Sequence, residues 1–377
     1  MGIQPLQFFR LLADRKVNFF TGVPDSLLKQ LCLCIAANVS SDKHIIAANE
    51  GNAIALATGY HLGTGKMALI YMQNSGLGNA INPLLSLADP EVYSIPMLIL
   101  IGWRGEPGVN DEPQHIKQGK VQLDLLDSIN LPYDIIFADD AKWKQKITKG
   151  IDVAISENRP YAIVVKKGTF EKYSVIETEV ESELMVREEA LEMLLKHIPN
   201  DAVIVSTTGK TSREIFEIRE KNNEPHFKDF LTVGSMGHCS SIALGIALAQ
   251  PERKVICIDG DGAFLMHMGS IAAIGKSQPK NLYHILMNNY VHESVGGQET
   301  AIDSIDVHKI VKSANYKNII GIDTPENLSR YILGFLEIDG PGFLEIRLKP
   351  GSRTELGRPT IKPIDNKYNL IEFLQKK

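Results

Sequence analysis

Apolar residues follow two alternating patterns along this chain. Short runs rich in β-branched and aromatic residues are apolar at consecutive positions, and the longer stretches between them carry apolar residues at the spacing of a buried helix face. In the first half the runs VNFFTG, HIIAA, KMALIYM, PMLILIG, YDIIF and YAIVVKK predict strands. SLLKQLCLCIAANV, NEGNAIALATGYHLG, NAINPLLSLA, IKQGKVQLDLLDSI and KWKQKITKGIDVAIS predict the helices between them. After the acidic stretch IETEVESE the alternation restarts with AVIVST, FLTVGS, KVICIDGD, LYHILMNN, YKNIIGI and GFLEIRL. Strands that are apolar on both faces and separated by helices imply parallel sheets covered on each side. The expected fold class is therefore α/β, with two domains that are each a mainly parallel sheet flanked by helices. Their expected extents are 1–176 and 184–377, joined by a linker at 177–183, with no central third domain. No local sequence repeat links the halves. In such sheets ligands bind beyond the carboxyl ends of strands, which is where candidate chemistry is sought.

Composition narrows the function classes. The 377 residues are 44% hydrophobic and 23% charged with a net charge of -5, ordinary values for a chain of about two domains. Mild acidity without a basic run argues against a nucleic-acid partner. Cys32, Cys34, Cys239 and Cys257 have neither disulfide-framework nor zinc spacing and are expected to be buried, reduced thiols. The N-terminal residues lack a signal-peptide layout, and the apolar run IPMLILIGW is far shorter than the roughly 20 residues of a membrane helix. A soluble cytoplasmic enzyme without membrane partners is the expectation.

Two stretches suggest phosphate. In VSTTGKTS the Gly209-Lys210-Thr211 triplet ends like an NTPase phosphate loop, but the first glycine of that pattern is replaced by Ile204. The loop therefore cannot wrap a nucleotide. It still follows a strand and opens a helix, which presents free N–H groups to an anion. The second stretch runs from the strand KVICID through GDGAF and a helix FLMHMGSIAAIGK to the strand NLYHILMNN. The 25 residues between Gly262 and Asn288 suffice for one helix and one strand, so Asp261 and Asn288–Asn289 reach neighbouring strand ends. A carboxylate, an amide oxygen and a backbone carbonyl there make a hard oxygen site suited to Mg²⁺. Gly260 and Gly262 let backbone approach a bound phosphate.

This second stretch resembles the signature of thiamine diphosphate-dependent enzymes, which begins Gly-Asp-Gly and closes with Asn-Asn. The GVPDS loop, NEGNA…ATGY and MQNSGLGNAINPL likewise resemble the pyrimidine-binding domain of that family. The resemblance implies a pyrimidine-binding domain in 1–176 and a diphosphate-binding domain in 184–377. It makes Asp261, Asn289 and the carbonyl of Val291 the Mg²⁺ ligands and leaves Asn288 as a bracing residue. It assigns Thr207, Thr208, Gly209, Ser235, Gly237, Gly260, Gly262 and Ala263 to cofactor binding, with Lys210 open and Met236 propping the folded-back cofactor. Glu50 would hydrogen-bond the aminopyrimidine ring nitrogen and start the proton transfers that activate the thiazolium carbon. Taken alone, Glu50 reads better as a first-turn carboxylate favoured by the helix dipole.

The two-domain layout, with GVPDS, DEPQH, GSMGH, HESVGGQ and GSRTELGRP, is similar to the branch of 2-oxo acid decarboxylases that take phosphonopyruvate or sulfopyruvate. Sulfopyruvate members are commonly split into two chains, so a fused chain favours the phosphonate. The implied reaction converts 3-phosphonopyruvate to 2-phosphonoacetaldehyde and CO₂, a step of phosphonate biosynthesis. The alternative is sulfopyruvate or another small 2-oxo acid, decarboxylated or ligated on the same scaffold. Such a polyanion needs fixed cations and neutral donors. The candidates are Arg104, Lys117, Lys120, Arg353 and Arg358, with Ser26, Gln114 and His115. Asp25, His115 and Glu50 are the candidates for protonation after CO₂ leaves, histidine having the usual range for proton transfer. Asp25 also suits capping of the following helix. The Gly/Pro-bounded segment holding Arg353 and Arg358 is expected to close over the site. The family also implies a homo-oligomer with active sites at subunit interfaces.

Overall fold

The computed structural model describes residues 2–174 and 182–376. The chain divides into two compact units, the first built from residues up to 174 together with Val295–Gln298 and the second from the rest. Of the expected linker 177–183, only residues 182 and 183 lie among the described residues.

Every run expected as a strand is one. In the first unit these are β1 (Phe20–Gly22), β2 (His44–Ile46), β3 (Ala68–Gln73), β4 (Met97–Gly102), β5 (Tyr133–Ile136) and β6 (Pro160–Val165). In the second they are β7 (Val203–Ser206), β8 (Asp229–Leu231), β9 (Val255–Gly260), β10 (Leu282–Asn288), β11 (Asn318–Ile322) and β12 (Gly342–Arg347). The first sheet has the order β2-β1-β3-β4-β6-β5, and the second, read in the same sense, β8-β7-β9-β10-β12-β11. All pairings are parallel. The two units thus share one topology although their sequences show no repeat.

Side chains alternate across each strand, so one strand feeds two cores. In β3, Leu69 and Tyr71 join one apolar layer, and Ala68, Ile70 and Met72 join the opposite one. In β9, Ile256 and Ile258 face one layer while Val255 and Cys257 face the other. Covering both faces with helices is what makes the strand sequences continuously apolar. All four cysteines are free and buried, as their spacing led one to expect.

Three helices differ from expectation. Pro5–Asp14, not expected from the pattern, buries Phe8 and Leu12. The helix expected over 79–88 runs Leu77–Pro83 and widens into a π turn at Leu84–Ala88, since Pro83 offers no N–H and crowds the preceding turn. The helix expected after the Gly-Asp-Gly is two helices, Asp261–Met266 and Ser270–Ser277. The break falls at His267, which leaves helical geometry (φ -133, ψ 40) and packs its ring 4.3 Å from that of His238.

In each sheet the chain first runs to one edge, returns beside its starting strand and then builds outward. The crevice at this reversal lies between β1 and β3 in the first unit and between β7 and β9 in the second. Loops leaving those strands are where open α/β sheets bind ligands.

Candidate active site

The first crevice gathers polar side chains from loops after β1, β3 and β4. Asp25, fully buried, accepts from Gln73 Nε2 (2.8 Å) and from the Leu27 amide (3.1 Å). Gly102 ends β4 without a side chain because a Cβ there would lie 2.0 Å from Asp25 Oδ2. Burial pushes the Asp25 carboxyl above the usual carboxylate range, against the opposing pull of Gln73 and Arg104. Arg104 donates to Ser26 Oγ (2.9 Å) and is gripped by Asp111 through Nε (2.8 Å) and Nη2 (2.5 Å). Asn74 holds the Arg104 backbone from both sides, and Asp111 also takes the Gly105 amide. His115 is buried beside this pair with Nδ1 unpartnered, and the neighbouring Gln114 Oε1 is likewise unpartnered. Burial, reinforced by Arg104, lowers His115 to about 4. It is therefore neutral at pH 7, and the titration range expected from its residue type does not hold here.

Glu50 opens the helix Glu50–Thr64 behind an Asn49 cap. It is only 5% exposed, and Asn79 donates to its Oε2 at 2.8 Å. Gly76 lies so close that a Cβ there would stand 2.2 Å from Glu50 Oε1.

The second crevice brings together the loops after β7, β9 and β10. Asp261 is buried at the start of its helix and accepts from Thr300 Oγ1 at 2.8 Å. Burial raises its carboxyl to about 6, its other partners being backbone N–H groups rather than a cationic side chain. Asn289 Oδ1 accepts from the Val291 amide (3.3 Å), and the Val291 carbonyl accepts from the Glu293 amide (2.9 Å). Each of those oxygens keeps a second lone pair. A carboxylate short of positive charge, an amide oxygen and a carbonyl are the donor set of a hard divalent cation, and these residues fit Mg²⁺. Asn288 instead donates its Nδ2 to Glu345 (2.7 Å), and its side-chain Oδ1 accepts from the Tyr290 amide, so it braces the strand exit.

Around this set, Gly260 is open: a Cβ there would meet only Thr207 Cγ2, at 3.8 Å. Gly262 is covered, since a Cβ would lie 2.6 Å from His292 Cε1 and 3.3 Å from the Met236 methyl. Met236 is half-buried and belongs to no apolar core layer, which suits a prop better than core filler. Ser235 and Gly237, on either side of it, take positive φ (54 and 83). Gly209 also has positive φ (92) and, with Thr207 and Thr208, lines the exit of β7. Ser212 braces that exit through the Thr207 and Thr232 carbonyls. Lys210 is held by Ser352 Oγ (2.6 Å) and lies 3.5 Å from Glu293.

The remaining candidates separate from these sets. Lys117 and Lys120 are exposed on the helix Pro113–Ser128, which buries His115, Gly119 and Gln122. Arg353 is engaged by Glu188 (2.7 Å) and Glu217, and Arg358 is exposed. Sequence reasoning passed over Gln73, Asn74, Asn79, Asp111, Thr300 and Glu293. Asp111 and Glu293 stood inside motifs already singled out, whereas nothing in the spacing ties Thr300 to Asp261.

Comparison with known proteins fits this geometry. Residues 7–127 match the family described as thiamine pyrophosphate enzyme, N-terminal TPP binding domain, and residues 207–346 its C-terminal TPP binding domain. The chain is 33% identical over 365 residues to the phosphonopyruvate decarboxylase of Streptomyces viridochromogenes, covering 93% of this chain and 89% of that protein. The Streptomyces hygroscopicus phosphonopyruvate decarboxylase is 32% identical over 372 residues, covering 95% and 90%. The sulfopyruvate decarboxylase of Methanosarcina acetivorans is 28% identical over 366 residues, covering 91% and 90%. That last protein also spans both halves in one chain, so fusion favours the phosphonate without excluding the sulfonate.

Proposed function

This chain belongs to the thiamine pyrophosphate enzymes and is a decarboxylase of that family, and on that premise we propose that it converts 3-phosphonopyruvate to 2-phosphonoacetaldehyde and CO₂ with Mg²⁺ as the metal, as a step of phosphonate biosynthesis. The observation that carries this is that each of the two units bears a crevice of the same topology. One presents a buried Glu50 and the other a hard-oxygen set around Asp261. Thiamine diphosphate, when bound, supplies a nucleophilic carbon and a sink for the electron pair left by CO₂.

The chain's own residues do the rest. Asp261, Asn289 and the Val291 carbonyl would hold Mg²⁺. Thr207, Thr208, Gly209, Gly260, Gly262 and Ala263 form the diphosphate cradle, and Ser235, Met236 and Gly237 support the ring. Glu50 would hydrogen-bond the aminopyrimidine of the bound cofactor and hold the proton shared with it. Asp25, whose carboxyl is raised above the usual range by burial, would give up a proton where the carboxylate of the substrate was lost. Arg104 and Ser26 hold the anionic tail, with Gln114 and neutral His115 as further hydrogen-bonding groups. Lys120, Arg353 and Arg358 are secondary candidates for the same tail, the last two on a segment that closes over it. The two relatives above 30% identity favour the phosphonate, and the sulfonate is the second reading because of the third relative. The proposal includes a homo-oligomer with active sites at subunit interfaces. It also includes a cytoplasmic location, which four free thiols suit.

Glu50→Ala tests the assignment. It should keep Mg²⁺-dependent cofactor binding and lose turnover by at least about 100-fold. Undiminished turnover in that variant would contradict the mechanism.

A further inference from the structure

Glu293 lies in the loop after β10, four residues beyond Asn289, and none of the roles above uses it. Its side chain is nearly buried, with 12% exposure, and both carboxylate oxygens are engaged. Oε2 accepts from Asn289 Nδ2 (3.2 Å) and from Arg187 Nη1 (2.7 Å). Oε1 accepts from the Gly351 amide (3.0 Å) and lies 3.5 Å from Lys210 Nζ. Lys210 in turn donates to Ser352 Oγ (2.6 Å). Arg187 is anchored by a two-pronged contact with buried Glu214 (2.6 and 2.9 Å), which fixes the guanidinium that holds Glu293.

Two consequences follow from elementary hydrogen-bond chemistry. A carboxylate only accepts, so it selects the nitrogen end of the Asn289 amide and leaves the oxygen end for a cation. The same carboxylate also tethers the segment Gly351–Ser352 to that loop, so strain on the loop and on the segment is shared. We propose that Glu293 is a positioning residue that orients the Asn289 amide for Mg²⁺ and couples occupancy of the metal site to the segment carrying Arg353. This rests on the metal assignment made above.

Mn²⁺, which shares the preference for hard oxygen ligands, is a direct probe of this role. Its dissociation constant at saturating thiamine diphosphate is read from the free-ion EPR signal for the wild type, Glu293→Gln and Asp261→Ala. The expected result is about 10–100-fold weaker Mn²⁺ binding in Glu293→Gln and loss of binding in Asp261→Ala. Wild-type affinity in Glu293→Gln alongside lost binding in Asp261→Ala overturns the role of Glu293. Wild-type affinity in Asp261→Ala overturns the metal assignment itself, and the inference with it. Hydrogen exchange of the wild type needs no variant: adding Mn²⁺ and thiamine diphosphate should slow exchange at Gly351 and Ser352. Unchanged exchange there overturns the coupling even if Glu293→Gln does not fold.

Discussion

Asp25 has one oxygen on Gln73 and the other on the Leu27 amide, in a place where burial disfavours its charge. An amide of the same shape can keep its oxygen on the Leu27 amide and, with the Gln73 amide turned over, donate to Gln73 Oε1, but it cannot give up a proton at this position. Asp25→Asn should therefore fold and bind cofactor normally while kcat falls by about 10²–10⁴, measured by stopped CO₂ release. His115 is the opposite case. Its folded form stays neutral down to about 4, whereas an unfolded histidine takes up its proton near 6.5. The unfolded chain thus binds more protons between those values, and stability falls as pH drops through that window. Burial lowers His44 and His292 to about 4 as well, so His115→Asn should lessen, not abolish, that part of the pH dependence of the melting temperature, and an unchanged slope would remove His115 as a contributor. Residue types alone showed that Asp25 and His115 were candidates but not their protonation. That depends on neighbours such as Gln73, 48 positions from Asp25, and Arg104. Thr300 reaches Asp261 across 39 positions, a distance no local spacing can anticipate.

Strands and turns were far more legible than such partners. Consecutive apolar positions mark a strand buried on both faces, and every expected run carries one. Helix ends and breaks were harder: the apolar spacing runs on through His267, where the helix ends and the ring packs against His238. The end of β4 shows how an element positions the site: Gly102 leaves room for the Asp25 carboxyl. Gly102→Ala should cost about 1–3 kcal/mol of stability, seen in the denaturant midpoint, and should lower turnover by displacing Asp25. A midpoint and kcat equal to wild type would show that β4 does not set the position of Asp25.

At the scale of the molecule, two units of one topology each bear a reversal crevice, and the conserved order of strands survives where sequence similarity between the halves does not. Topology follows from which strands can pair and be covered. On the proposed assignment, the tail a substrate carries would be read by only a few donors, Arg104 and Ser26 among them. That is why the fold and the cofactor were legible from sequence while phosphonate and sulfonate stayed close. If sites are completed between copies, sedimentation should give a mass of at least two chains at catalytic concentrations, and a fully active single chain would contradict that assembly. The most direct measurement is kcat/KM for CO₂ release from phosphonopyruvate and from sulfopyruvate, with Mg²⁺ and thiamine diphosphate and no electron acceptor. The account predicts aldehyde and CO₂ in equal amounts from both-cofactor reactions, with phosphonopyruvate favoured by at least about tenfold, or roughly 1.4 kcal/mol. Equal or reversed preference would contradict the phosphonate assignment, and no CO₂ from either acid would contradict the function.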